Sequence, residues 1–228
     1  MGLGTLKSGA QNPDYSEAGK EEVMTRLTSV NFDDHMCVTV SNVQTLVDSL
    51  SNGKACGLDR LNAEHLKFAG PRLAVLLSLC FSAMLVHSHL PSKLTDTVMI
   101  PLIKNKNGSL SDKNNYRPIA LACITSKVFE KLLLNRCEDK LVTTDAQFGF
   151  KPKHSTDLAI YVLKQVMEYY TKQSSPVIIT FLDASKAFDR LNHCTLFKKL
   201  FDREVPLYVV RALMYWYSTQ KVFVQWVV

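Results

Sequence analysis

The 228-residue chain holds no CxxC pair, no apolar run long enough to cross a bilayer, no block of Lys and Arg, and no internal repeat. Each absence removes a class of protein. The six cysteines, Cys37, Cys56, Cys80, Cys123, Cys137 and Cys194, are scattered, so a disulfide framework and a zinc site are set aside in favour of free thiols in a reducing compartment. The longest apolar stretch, Leu73 to Val86, is about fourteen residues and carries two serines, which suits a buried helix rather than a membrane span. No signal peptide opens the chain, and Leu6 stands where a myristoylation site wants Ser or Thr. The expectation is an intracellular protein, nuclear or cytoplasmic, with no membrane partner. His87 and His89 flank one serine, but no further ligand lies nearby, so they read as exposed histidines at a helix end.

What is present is an ordinary supply of core. Hydrophobic residues make up 46% of the chain, enough for one sizeable core or for one domain plus a piece of another. A formal net charge of +6 leans mildly toward anionic partners, nucleic acid among them, although many basic soluble proteins share it.

Along the chain, residues 1 to about 30 show little periodicity and read as a mobile leader. Ser41 with Gln44 forms a capping box, followed by Val43, Leu46, Val47 and Leu50 at helical spacing. Gly53 and Gly57 mark a loop, "NAEHLKFAG" a short helix, and Arg72 to about His87 a longer apolar one. "TDTVMIPLIK" and "YRPIALA" read as two strands of a hairpin whose polar connection contains Asn107-Gly108. A helix follows from about Ser126 to Leu141, then the irregular basic stretch "DAQFGFKPKHS". Ser155 or Thr156 caps a helix with Leu158, Tyr161, Val162, Val166 and Tyr169 on one stripe. Val177 to Leu182 reads as a buried strand ending at Asp183, after which a helix runs to about Arg203. A last helix from Pro206 to about Tyr217 carries Tyr208, Tyr215, Trp216 and Tyr217, read as core, and "KVFVQWVV" closes the sequence as a strand. The pattern is α+β or mixed α/β, helix-rich early with a sheet assembling at the end, and α+β is the fold class expected.

Asp183 is the residue with chemistry to explain. A carboxylate delivered by a strand end can serve as a metal ligand in a two-ion phosphoryl-transfer site, with ions about 3.5–4 Å apart, but such ions need several hard oxygens. It can serve as a phosphoryl-accepting nucleophile, as in haloacid-dehalogenase-like phosphatases, but these want a second Asp where Ser185 stands. It can simply cap the next helix, which composition alone favours.

The neighbouring motifs change that balance. "NNYRPIALACITSKVFEKLL", "AQFGF" and "FLDASKAFD" occur in this order and together resemble the reverse-transcriptase domain of non-LTR (LINE-type) retrotransposons. "GKACGLDRLNAEHLK" is similar to the leading motif of that family, with Leu58 where proline is usual, and "LPSKLTDTVMIPLIKNKNG" to its fingers region. The resemblance covers roughly residues 38 to 228. It implies a right-hand polymerase that copies RNA template into DNA from a DNA primer, using deoxynucleoside triphosphates and Mg2+. It implies a leader at 1–37, a fingers-like region at 38–175 and the first part of a palm at 176–228. Asp183 then matches the first catalytic aspartate and metal ligand, with the Ala184 carbonyl as a second metal-binding oxygen beside the nucleotide. Phe188 matches the residue that stacks under the incoming sugar, and Lys186 and Ala187 place amides under the triphosphate. Arg117 matches a fingers arginine that grips nucleotide phosphate, its alternative being a surface salt bridge. Lys151, Lys153 and His154 would touch the template backbone, unless they are merely solvated loop charges. Gln147, Phe148 and Gly149 would shape the fingers, and Asp189 is read as a helix-stabilising acid.

One departure matters. The family takes two further metal-binding aspartates from a Tyr/Phe-x-Asp-Asp hairpin, and after Asp183 the only acids here are Asp189, Asp202 and Glu204. The sequence therefore predicts an incomplete palm, weak or absent Mg2+ binding, no polymerase activity in this chain alone, and unpaired edges at Val177–Leu182 and Lys221–Trp226 that invite self-association. Two other readings stay open: a non-catalytic RNA-binding or partner-binding module, and a non-functional remnant.

Overall fold

A computed structural model of the chain describes residues 4–6, 34–184, 187 and 190–226. It divides into two compact units, Met1–Glu138 with His193–Val228, and Asp139–Asn192.

The first unit forms as the apolar periodicity demands. Helix α1 (Val40–Asp48) buries Val43, Leu46 and Val47. Its N-cap is Thr39, whose hydroxyl accepts the Asn42 amide at 3.2 Å. This corrects the expected capping box: Ser41 already lies inside the helix, and Gln44 donates instead to Asp48 one turn on. Helix α2 (Ala63–Phe68) does carry a reciprocal cap, the Asn62 amide donating to His65 Nδ1 and the His65 amide to Asn62 Oδ1, each at 3.2 Å. Helix α3 (Pro71–His87) starts on a proline, which has no amide to leave unpaired, and ends at Ser88 in the left-handed region. His87 in its last turn and His89 just beyond it are exposed, as expected, with the His89 ring 5.0 Å from Tyr215.

After the short helix α4 (Ser92–Thr95), strands β2 (Thr97–Ile103) and β3 (Tyr116–Ala122) pair antiparallel along their whole length, Thr97 opposite Ala122 and Ile103 opposite Tyr116. Helix α5 (Ile124–Cys137) buries Val128, Phe129, Leu132 and Leu133. Helices α7 (His193–Asp202) and α8 (Leu207–Thr219) precede β4 (Val222–Val224). With β1 (Gly4–Leu6) they complete a four-stranded sheet in the order β1-β4-β2-β3. β4 runs antiparallel to β1 and parallel to β2. The edge expected at Lys221–Trp226 is therefore covered on both sides, and a strand of the expected leader does the covering. The remainder of that leader, 7–33, lies outside the described residues.

Phe129 sits at the centre of the core with no exposed surface, its ring 5.2 Å from Phe81 and 6.0 Å from Trp216. Tyr208 and Trp216 are buried as expected, whereas Tyr217 is 41% exposed and only partly packed, against His193 and Phe197. The leading-motif loop is pinned to this core. Glu64 accepts the Gly53 amide at 2.7 Å, a bond that holds its carboxyl below the ordinary glutamate range. Lys67 donates to the Leu50 carbonyl and to Asn52. Gly57 packs so close to β3 that a Cβ there would lie 2.8 Å from the Cys123 amide nitrogen.

The second unit is different in kind. Helix α6 (Thr156–Lys172) is capped by Ser155, whose hydroxyl accepts the Leu158 amide at 3.2 Å. The expected stripe of Leu158, Tyr161, Val162, Val166 and Tyr169 is helical, but all five are exposed. The expected strand at Val177–Leu182 is absent. Residues 175–184 have no regular structure and find no strand among the described residues to receive their amides and carbonyls. Ile178, Phe181 and Leu182 are exposed by 91%, 82% and 94%, so the segment is not buried either. The helix expected to run from Asp183 begins instead at His193, directly after Asn192, a residue type that favours helix starts.

Candidate nucleic-acid interface and carboxylate site

Arg117 lies in β3 opposite Leu102 and is exposed, with no ion pair among the described residues. The hairpin that carries it is rigidly closed. Buried Asn115 accepts the Asn105 amide at 3.0 Å and donates to the Asn105 and Ser109 carbonyls. Gly108 lies so near Asn115 that a Cβ would meet its side-chain nitrogen at 2.9 Å. The Tyr116 hydroxyl donates to the Leu110 carbonyl, and its ring meets Trp226 edge-on at 5.5 Å. Lys104 donates across the loop to the Asn114 carbonyl. A free guanidinium on a fixed strand is a suitable phosphate ligand, because little freedom is lost on binding. Sequence reading assigned Arg117 but missed Asn115, which looked like one more polar turn residue.

The basic stretch belongs to the second unit. Its three basic residues are not equivalent. Lys151 Nζ donates to the Thr143 and Thr144 carbonyls, at 3.4 and 3.1 Å, and to Asp145 at 2.8 Å. Those bonds occupy all three of its protons, and the one to Asp145, with the charge behind it, holds that carboxyl below the ordinary aspartate range. Lys153 is exposed and has no such partner. His154 approaches the Pro152 carbonyl through Nδ1 at 3.0 Å and lies 5.8 Å from the Phe148 ring. The Gln147 amide group donates to the Gly149 carbonyl, closing the loop on itself. Between these tethers Phe150 stands 99% exposed with φ of 55°, and Lys153 has φ of 62°. Sequence reading passed over Phe150, although an aromatic set between glycine and lysine in a basic irregular stretch was a visible signal.

Asp183 ends the irregular segment 175–184 and is exposed, as is Ala184. The capping alternative finds no helix to act on: Ala187 is a turn residue, and the next helix of the described residues starts at His193. Lys186, Phe188 and Asp189 lie outside the described residues. Asp202 and Glu204 sit in the first unit, at the end of α7 and just beyond it. A magnesium ion wants several oxygen donors held together. Among the described residues no group of three or more His, Cys, Asp or Glu is gathered. The Asp183 carboxylate and the Ala184 carbonyl are oxygens of the right kind but too few, so the described residues do not fit a resident magnesium ion.

Residues 103–228, more than half of the 228, match the family described as reverse transcriptase (RNA-dependent DNA polymerase). The chain belongs to the reverse-transcriptase family. Individual relatives agree with it. The RNA-directed DNA polymerase from the mobile element jockey of Drosophila melanogaster is 28% identical over 179 residues, 75% of this chain and 19% of the relative. The probable RNA-directed DNA polymerase from transposon X-element of the same organism is 33% identical over 66% of this chain and 17% of the relative. The Pol polyprotein from the type-1 retrotransposable element R2 of Popillia japonica is 27% identical over 51% of this chain and 16% of the relative. The chain is thus a reverse-transcriptase domain of the non-LTR, LINE-type retrotransposon kind, and it spans less than a fifth of the length of these relatives. The mixed helix and sheet of the first unit are compatible with an α+β polymerase-like fold. Among the described residues no helix is long and apolar enough to cross a membrane.

Proposed function

We propose that this reverse-transcriptase chain supplies the fingers, 38–175, and the first palm segment, 176–228, of a polymerase that copies RNA into DNA. In this reading the chain holds RNA template, DNA primer and nucleotide but does not complete the chemistry within these 228 residues. The supporting observation is that Arg117, Lys153, His154 and Asp183 all fall inside one matched segment, 103–228, and are all partly or fully open to solvent. Arg117 grips nucleotide phosphate from the hairpin. Ala184, Lys186, Ala187 and Phe188 form the floor under the triphosphate and sugar, Lys186 and Phe188 on the strength of the sequence match alone. Lys153 and His154 contact the template backbone, while Lys151 acts with them mainly by shaping their loop. Asp183 contributes one carboxylate, and the Ala184 carbonyl one oxygen, toward Mg2+ binding that needs further acids.

The second reading is an RNA-binding module without catalysis. It is favoured by one observation, the absence of a gathered carboxylate set among the described residues. One assay tests both. The purified chain is given a primer annealed to an RNA template, deoxynucleoside triphosphates and Mg2+. The expected result is binding of the hybrid with no extension above background. Extension that disappears in Asp183→Ala would show a complete catalytic site in this chain, and failure to bind the hybrid would remove both readings.

A further inference from the structure

Among the described residues, six other than glycine have positive φ: Arg60, Ser88, Phe150, Lys153, Ser174 and Glu204. Ser88, Ser174 and Glu204 follow helix ends, where a left-handed residue commonly satisfies the last carbonyls. Phe150 is the bulky aromatic of the set, and no helix end accounts for it. A large side chain in this region is strained, and it stays there only where the surroundings fix it. The surroundings here do so. Lys151 ties the following residue back to Thr143, Thr144 and Asp145. The Gly149 carbonyl is held by Gln147, and the His154 amide donates to the Lys151 carbonyl at 3.2 Å. The effect is to hold an aromatic ring out in solvent at 99% exposure, where hydrophobicity alone would fold it back. Lys153, free of a carboxylate partner, follows three residues later, in left-handed conformation itself.

We propose that Phe150 is a stacking platform for an unpaired base of a single nucleic-acid strand, with Lys153 beside it on the strand's phosphate. A flat π-face next to a free cation, both on a pinned loop, is the pairing that sequence-tolerant single-strand binding uses. The Lys151–Asp145 tether is the positioning element that keeps the ring out. The partner is a single strand because a base already stacked inside a duplex offers its face to no side chain. The inference rests on the template-holding reading above and sharpens it, adding base contact to contact with the backbone.

The test is equilibrium binding of the 228-residue chain to a fluorescent single-stranded RNA of about ten nucleotides at low salt. A matched oligomer carries abasic sites through its centre. Stacking predicts that Phe150→Ala weakens binding of the normal oligomer about tenfold, that Phe150→Trp keeps it, and that Phe150→Leu, apolar but without a π-face, behaves like alanine. The wild-type chain should bind the abasic oligomer about tenfold more weakly, and Phe150→Ala should add no further loss, because ring and base have only each other to lose. Phe150 is exposed, so these variants should fold normally, and unchanged far-ultraviolet circular dichroism checks that. If wild type and Phe150→Ala bind both oligomers alike, the stacking role falls while template binding stands. If the wild-type chain binds neither oligomer, the template-holding reading falls with it.

Discussion

The two units of the chain put similar apolar material to opposite use. In Met1–Glu138 with His193–Val228, the stripes of α1, α3, α5 and α8 meet in one core around Phe129, with Phe81, Leu85, Val128, Val209 and Val210 all fully or almost fully buried. In Asp139–Asn192, no described residue is buried. Its helix α6 is as regular as α5, yet its stripe lies open, and Phe181 and Leu182 beside Asp183 are more exposed still. Under the proposed function, the difference is that between a scaffold and a working surface. Packed elements supply stability, while residues that meet a ligand sit on segments held by a few local tethers. In the second unit those tethers are polar and short-range, with Lys151 bound to residues six to eight positions before it.

The comparison can be broken most sharply at Phe129. Phe129→Ala should destabilise the first unit by about 4 kcal/mol, since it removes a fully buried ring and leaves a cavity against Phe81 and Trp216. Val162→Ala on the open face of α6 should change stability by no more than about 0.5 kcal/mol. Denaturant titration of the two variants measures the gap. Equal losses would mean that α6 is packed as tightly as α5 and that the two units do not differ.

The smallest effect concerns pH. The Asp145 carboxyl is lowered from 3.8 by its hydrogen bond with Lys151 and by that cation's charge. A depressed folded pKa means the tether's contribution is complete above the ordinary aspartate value and is lost as pH falls below it, through the lowered value. Amide exchange in residues 143–154, taken relative to the intrinsic rate at each pH, should therefore lose protection on acidification below about pH 4 in wild type. In Asp145→Asn the protection should already be low at neutral pH, with the first unit unchanged in both. A loop whose exchange ignores both changes would show that the tether does not hold it.

The same contrast explains what could be read from the chain. Helical spacing located α3, α5, α6 and α8, and alternation with Asn107-Gly108 located the β2–β3 hairpin, because local periodicity is a property of the segment itself. What covers a face is not local. The stripes of α5 and α6 look alike in sequence, and only the three-dimensional packing tells that one is core and the other open. The segment before Asp183 failed for the same reason: Val177 to Leu182 has strand composition, but a strand needs a neighbour for its hydrogen bonds. β4 was legible as a strand but its cover was not, its partners lying at Gly4–Leu6 and Thr97–Met99, far away in sequence. At the candidate site, residue types with ordered motifs singled out Arg117 and Asp183 from the sequence alone. Asn115 and Phe150 stand out only in the structure, through hydrogen-bond closure and backbone conformation rather than residue type.

The central claim is that this chain holds nucleic acid through a few free cations on fixed segments, Arg117 on β3 and Lys153 on the pinned loop. The most direct measurement is its affinity for a single-stranded RNA across a series of salt concentrations, with Arg117→Glu and Lys153→Glu compared with wild type. About three phosphate contacts predict that the logarithm of the binding constant falls with the logarithm of salt at a slope near −2. Each reversal should weaken binding about tenfold and flatten the slope by roughly one contact's share. Binding that is absent at low salt, or that is indifferent to salt and to both reversals, would contradict the account.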